Sequence, residues 1–470
     1  MGARLLNSAM QELIRGNGFG PFYHGRWEFL RRIFVSVRDR DWREIAPTQW
    51  DCTVDEVGRS IKIAASHTSA LVDFEWQGRL QMSADARELS FAFEGTVLRT
   101  MDICRLGLVV LHPVNAMTGA HITTRGPGGQ QVLTVPPHIA PQPILNGIPI
   151  AMTEPFSSMT VKHPEFGRLE LNFSGDLFEL EDQRNWGDAS FKTYCTPLRL
   201  AFPRKIEQGC RVTHRVEAAL VPAQTDASKD RTEAAKVLTV GRVAPASFEA
   251  IESPNWMLGW DHIRIDLHDE INADSIERLL ARLPRSTTLE IGMAITETTG
   301  VSADVIDMLN QHGQRVSALI LRDLKWPLPT VKAVAQIRKA LQGGPASRVP
   351  LQVSPNGYFV EINRTMPFEL DVDGIAFPVS STVHTDDADT ILANVHAVAD
   401  MITTARRLTG KSRVSISPLA LYLQKPKAGD RFPRSLIVPW LTSIVALSAR
   451  AGVGSITLSV DVLENIVPTD

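Results

Sequence analysis

The stretch Thr288-Leu-Glu-Ile-Gly-Met-Ala-Ile295, with Ser302-Ala-Asp-Val-Ile-Asp-Met-Leu-Asn-Gln-His312 and Ala318-Leu-Ile-Leu-Arg322 behind it, decides how the second half of this chain folds. The first and third segments are short and apolar, as buried parallel strands are. The middle one carries the 3.6-residue period of an amphipathic helix. Strand, helix, strand is the repeating unit of a parallel sheet with crossover helices. Working outward, the unit recurs. Strands are predicted at Val237–Val240, His262–Leu267, Leu351–Ser354, Gly374–Val379, Val414–Ser417 and Ser455–Val460, and helical patterns at Ala273–Leu283, Thr330–Leu341, Asp389–Leu408 and Leu436–Ala451. Eight strands alternating with helices match a (β/α)8 barrel, placed at residues 237–470.

Upstream the rhythm differs. Trp27–Val37 is aromatic and β-branched, Ser60–Ala65 and Leu89–Leu98 alternate, and Leu106–Leu111 is a short apolar run. Turn punctuation such as Gly126-Pro127-Gly128-Gly129 separates these pieces. An antiparallel β-sandwich over residues 1–222 is expected. Residues 223–236 are polar and without period, and read as the linker.

Composition narrows the function. With 470 residues, two or more domains are expected. Hydrophobic residues at 44% and charged residues at 21% describe a soluble globular protein. A net charge of −3, without a long Lys/Arg run, argues against nucleic acid as a partner. No run of eighteen apolar residues is present, so no transmembrane helix is expected. Glu12 and Arg15 interrupt the N-terminal apolar stretch before it reaches signal-peptide length. The four cysteines form no C-x-x-C pair, which signals neither a zinc site nor a disulfide framework and fits a cytoplasmic location.

One stretch obeys no period at all: Glu181-Asp-Gln-Arg-Asn-Trp-Gly-Asp-Ala-Ser-Phe-Lys-Thr-Tyr194. Carboxylates, amides and a guanidinium interleaved with aromatic rings suit a polyol, whose hydroxyls they bond and whose C–H face an indole covers. So many charges need partners if buried. Asp182, Arg184, Asn185, Trp186, Asp188 and Lys192 are therefore candidate substrate contacts, with a structural ion-pair network as the alternative.

The same stretch resembles the signature of the D-apionate lactonases. Other pieces agree with that family in order: Val37-Arg-Asp-Arg-Asp-Trp42, Val109-Val-Leu-His-Pro113, Phe359-Val-Glu-Ile-Asn-Arg364 and Val383-His-Thr-Asp-Asp387. The resemblance implies a mutarotase-like sandwich ahead of the barrel and a bacterial enzyme of D-apiose catabolism that opens D-apionolactone to D-apionate. Its partner would be a small sugar lactone. Members of the family continue through a closing helix into a further small β-domain, whereas this chain stops ten residues after the eighth strand candidate. A truncated barrel, incomplete at its end and lacking that extension, is the corresponding expectation.

Lactone opening is acyl transfer to water, which needs a base, donors for the oxyanion and an acid for the leaving alkoxide. There is no G-x-S-x-G and no H-E-x-x-H, so neither a serine nucleophile nor a zincin site is signalled. What remains is carboxylate and histidine chemistry at the C-terminal ends of barrel strands: Asp266, His268, Glu297, Asp323, Glu361, Asn363 and His384 with Asp386. Glu361 leads. Read as an extended segment, alternation sets Glu361 and Asn363 on one side and Val360 and Ile362 on the other, with Arg364 adjacent. A Glu paired with Arg364 for structure is the alternative. His384 could act as base or metal ligand. Asp323 resembles a strand-end acid, with a cap or salt bridge as the competing role. The catalytic expectation is Glu361, His384 and Asp323, with Asn363 and Arg364 joining the substrate contacts. No cofactor is called for, although several of these groups together could hold a divalent ion. Two other functions fit the layout: a glycoside hydrolase with paired carboxylates, and a non-catalytic sugar-acid binding protein.

Overall fold

The computed structural model of the chain describes residues 10–25, 27–200, 202–223, 238–244, 259–269, 271–298, 300–365, 369–384, 387–411, 413–422 and 432–466. Two compact units emerge: residues 1–183 with 190–230, and residues 184–189 with 231–470. The expected linker, apart from Ala223, lies outside the described residues.

The first unit is built from two large antiparallel sheets. One has nine strands in the order Gly129–Thr134, His121–Gly126, Ser158–His163, Gly167–Ser174, Arg211–Pro222, Glu88–Val97, Asp73–Met82, Ser60–Thr68 and Gln49–Asp55. The other has seven, with Met101–Pro113 paired to Arg32–Asp39 on one side and to Ser190–Tyr194 on the other. Alternation does the sorting. Phe74, Trp76, Leu80 and Met82 of one strand turn inward while Glu75 and Gln77 face solvent. They share a core with Ile33, Val35, Leu108 and Val110 of the other sheet. The glycine-rich turn at 126–129 closes the expected hairpin. The stretch read as one strand from Trp27 is two, Trp27–Leu30 and Arg32–Asp39, broken at Arg31, whose Nε pairs back to Glu28 at 2.9 Å.

The second unit is a closed parallel barrel of eight strands: Thr239–Val243, His262–Asp266, Thr288–Ile295, Val316–Asp323, Leu351–Val353, Gly374–Val379, Arg413–Leu419 and Ser455–Leu458. Closure is made by the first strand, which pairs with the second and also with the eighth through Thr239↔Ser455 to Arg242↔Leu458. The expectation of an incomplete barrel is thereby corrected: the sheet closes, and a seven-residue helix, Val460–Ile466, follows the last strand. Side-chain caps start the helices where the spacing predicts. Asn272, Ser302, Thr330 and Asp387 each accept a backbone N–H at the head of the helix that follows. The pattern at Asp389–Leu408 is two helices, Ala388–Asn394 and Ala397–Thr409, parted beside Asn394, whose side chain serves other partners.

The barrel lumen is unusually polar for this fold, which favours branched apolar side chains. Glu290 of the third strand is buried and accepts from Ser417 Oγ at 3.0 Å, Ser455 Oγ at 3.0 Å and Thr457 Oγ1 at 2.7 Å. His262 Nε2 lies 2.9 Å from the same threonine hydroxyl. Among the described residues, no helix is long and apolar enough to cross a membrane.

Candidate active site

Within the barrel unit, three segments meet: the helix Phe359–Thr365 after the fifth strand, residues 380–384 after the sixth, and residues 184–189. The first two follow the C-terminal ends of their strands, where barrels carry their chemistry.

Asp188 is the centre of this meeting. Its Oδ2 stands 2.5 Å from His384 Nδ1, and its Oδ1 accepts from Asn394 Nδ2 at 3.0 Å. Asn394 also donates to Ser381 O at 3.1 Å and accepts the Ala189 N–H at 3.0 Å. Ser381 Oγ in turn receives the indole N–H of buried Trp440 at 2.9 Å. The carboxylate is thus held from both sides and is 5% exposed, whereas the His384 side chain keeps 18% of its surface open. A carboxylate on Nδ1 fixes the tautomer, so Nε2 carries the lone pair and can accept a proton. Gly187 makes the approach possible. It has φ +88°, and a Cβ there would lie 2.8 Å from Ser380 O.

Trp186 lies against the imidazole, with ring centroids 5.8 Å apart at 69°, and against Tyr358 at 5.3 Å and 61°. The Arg364 guanidinium sits over the indole at 5.6 Å. Two further pairs anchor the segment. Asn363 Nδ2 donates to Asn185 Oδ1 at 2.9 Å in a buried amide pair, and Arg184 Nη1 reaches Asp400 Oδ2 at 2.9 Å. Of the residues expected from sequence, Asp188, His384, Trp186 and Arg364 are joined by direct contacts, Asn185 and Asn363 form a second pair, and Arg184 is held by Asp400.

Glu361 needs a correction of geometry. Residues 359–365 are a helix, so Glu361 and Asn363 are roughly 200° apart rather than on one side. Asn363 is fully buried and Glu361 is partly exposed. Glu361 Oε2 accepts the Gly357 N–H at 3.0 Å. Burial pushes its carboxyl above the usual carboxylate range, partly offset by the Gly357 and Asn356 N–H groups and by the Arg364 charge. Arg364 links it to Trp186 and so to His384.

Other candidates serve elsewhere. Asp323 is wholly buried, and its Oδ1 accepts the backbone N–H of Lys325 at 2.8 Å and of Trp326 at 3.0 Å, closing a turn rather than capping a helix or forming a salt bridge. In the sandwich unit, Lys192 Nζ pairs with Glu181 Oε2 at 2.9 Å, an ion pair of the kind the alternative anticipates, while Asp182 Oδ2 accepts the Ala140 N–H at 2.9 Å. Asp386 lies outside the described residues. Tyr358, Asn394, Ser381 and Trp440 were not legible as site residues, because each acts only through a partner distant in the chain.

Among the described residues one group has metal-ligand character: Asp176, Cys195 and His214 in the sandwich unit. Its atoms are already engaged. His214 Nδ1 accepts the Leu108 N–H at 3.2 Å, and the Cys195 thiol faces Leu108 O at 3.5 Å. Burial pushes the thiol up and the imidazole down, which keeps both neutral.

An oriented imidazole, a half-buried carboxyl and an indole gathered past the strand ends of a closed barrel make up the kind of site at which acid–base chemistry is carried out. Comparison with known proteins gives the particular family. The D-apionate lactonase N-terminal domain matches residues 8–222, and the D-apionate lactonase TIM barrel domain matches residues 263–434. The chain belongs to the D-apionate lactonase family, whose members are carboxylic ester hydrolases. The D-apionate lactonase of Brucella anthropi is 25% identical over 454 residues, which cover 86% of this chain and 70% of that protein. Two solved structures are among those to which the chain shows a distant similarity. A galactose mutarotase-like protein from Lactobacillus casei has 10% identity, a TM-score of 0.28, and coverage of 42% of this chain and 90% of that one. A family-36 α-galactosidase from Geobacillus stearothermophilus has 8% identity, a TM-score of 0.26, and coverage of 91% and 72%.

Proposed function

We propose that this protein hydrolyses D-apionolactone to D-apionate, and that His384, oriented by Asp188, is the general base. The 2.5 Å contact between Asp188 Oδ2 and His384 Nδ1 carries this reading. His384 Nε2 takes a proton from water as its oxygen adds to the lactone carbonyl. The tetrahedral oxyanion then collapses, the ring C–O bond breaks, and the alkoxide receives a proton from Glu361, whose burial favours the protonated form. Trp186 offers the sugar ring a face beside the imidazole. Each step uses side chains alone, and no metal is required by it.

The test is a pH-indicator assay of D-apionolactone opening by the full chain, with and without EDTA, beside His384→Asn. Turnover that survives EDTA and is lost in the variant supports the reading. A folded wild-type chain without turnover overturns it, and turnover abolished by EDTA overturns the metal-free mechanism.

A further inference from the structure

A second polar group stands at the ends of the second to fourth strands, and the chemistry above does not use it. Asp266 ends the second strand, and Arg322 is the penultimate residue of the fourth. Between them the third strand has Gly292, where a Cβ would lie 1.7 Å from Asp266 Oδ1, so only glycine leaves that carboxylate its place.

The donors here are unevenly spent. Arg264 is buried and spends four of its five N–H donors: Nη1 bonds Ser417 O at 2.8 Å and Ser417 Oγ at 2.9 Å, while Nε and Nη2 reach Asp266 Oδ1 at 3.3 and 3.0 Å. Arg322 spends fewer. Its Nη2 lies 3.5 Å from that same crowded oxygen, its buried Nε has no partner among the described residues, and 36% of its side chain is open. Within this trio two guanidinium groups face one carboxylate oxygen, and Arg322 is the less engaged of the two. Asp266, 34% exposed, sets a carboxylate beside it. Burial alone would raise this carboxyl, but Arg264, Arg322 and His268 together hold it below the usual range, so it is an ionised acceptor.

We propose that Arg322, with Asp266 beside it, is the carboxylate anchor for a hydroxy acid, the guanidinium taking the carboxylate and Asp266 a neighbouring hydroxyl. This rests on the lactonase reading for the identity of the acid. A guanidinium matches a carboxylate through two parallel N–H donors. A neutral lactone offers no such group. Arg322 therefore separates product from substrate and makes the enzyme sensitive to its own product.

Calorimetric titration of the full chain with sodium D-apionate, and separately with neutral D-apiose, tests this beside Arg322→Gln and Arg322→Lys. Thermal melts check that each variant is folded. The expected result is a loss of D-apionate affinity of about tenfold or more in Arg322→Gln, a smaller loss in Arg322→Lys, and D-apiose binding unchanged by either. Should Arg322→Gln not fold, Arg322→Lys decides by the same comparison. Unchanged D-apionate affinity in a folded variant overturns the anchor. So does a wild-type chain that opens the lactone without binding D-apionate, which leaves the lactonase reading standing. Arg322-dependent D-apionate binding without lactone turnover keeps the anchor and overturns the lactonase reading.

Discussion

Asp188 holds two residues at once, His384 through Oδ2 at 2.5 Å and Asn394 through Oδ1 at 3.0 Å. The second bond makes the first directional. A carboxylate free to rotate would let the imidazole tilt, whereas one clamped by Asn394 presents a single oxygen to Nδ1 and aims Nε2 outward.

Asp188→Asn is expected to keep the shape and lose the chemistry. An amide can donate to Nδ1 and stabilise the other tautomer, which puts the proton on Nε2 and removes the base. A fall of about 10²–10⁴ in kcat, with KM little altered, is the expected steady-state result for lactone opening. A variant within twofold of wild type would remove Asp188 from the mechanism.

Glu361 gives opposite signs in activity and stability. Its folded pKa is raised, so its favourable contribution to stability is complete below the unfolded pKa and is lost as pH rises through the folded one. Glu361→Gln should therefore melt higher than wild type at pH 7 and equally at about pH 3, while kcat falls. Arg364 holds that pKa down, so Arg364→Gln should move the alkaline limb of the rate profile to higher pH. Melting curves at both pH values and a pH–rate series read these effects.

Gly187→Ala couples backbone to catalysis. The residue sits at φ +88° and the added methyl would meet Ser380 O at 2.8 Å. A cost of roughly 1–3 kcal/mol in stability is expected, with a fall in kcat because Asp188 is the next residue. Thermal unfolding and turnover measured on one preparation test both at once.

Trp186 faces His384, Tyr358 and the Arg364 guanidinium. Trp186→Ala is expected to raise KM more than it lowers kcat, and Trp186→Phe to restore part of the loss, since a smaller ring keeps an apolar face and a weaker cation–π contact. Equal KM in all three proteins would exclude Trp186 from the substrate surface.

The barrel strands are legible because each is a short apolar run closed by a turn or cap; Thr288–Ile295 and Gly374–Val379 begin and end where the pattern does. The segment Phe359–Thr365 is not, because seven residues of mixed polarity fit a strand or a helix equally well. Lumen residues such as Glu290 and Arg264 hide for another reason. A single polar position inside an apolar strand looks the same whether it faces solvent or a closed interior. Asp188 and His384 can each be named as candidates from composition, yet their bond spans 196 positions and leaves no local trace.

That span also sets a schedule. Residues 184–189 leave the ribosome long before His384, Asn394 and Asp400 exist for them to bind. At about 5–20 residues per second, the delay is roughly 10–40 s of synthesis. During that interval Asp188 lacks both His384 and Asn394, while Glu179–Asp182 and Ser190–Tyr194 can already pair as a hairpin. The Asp188–His384 bond therefore forms only when the last third of the chain arrives.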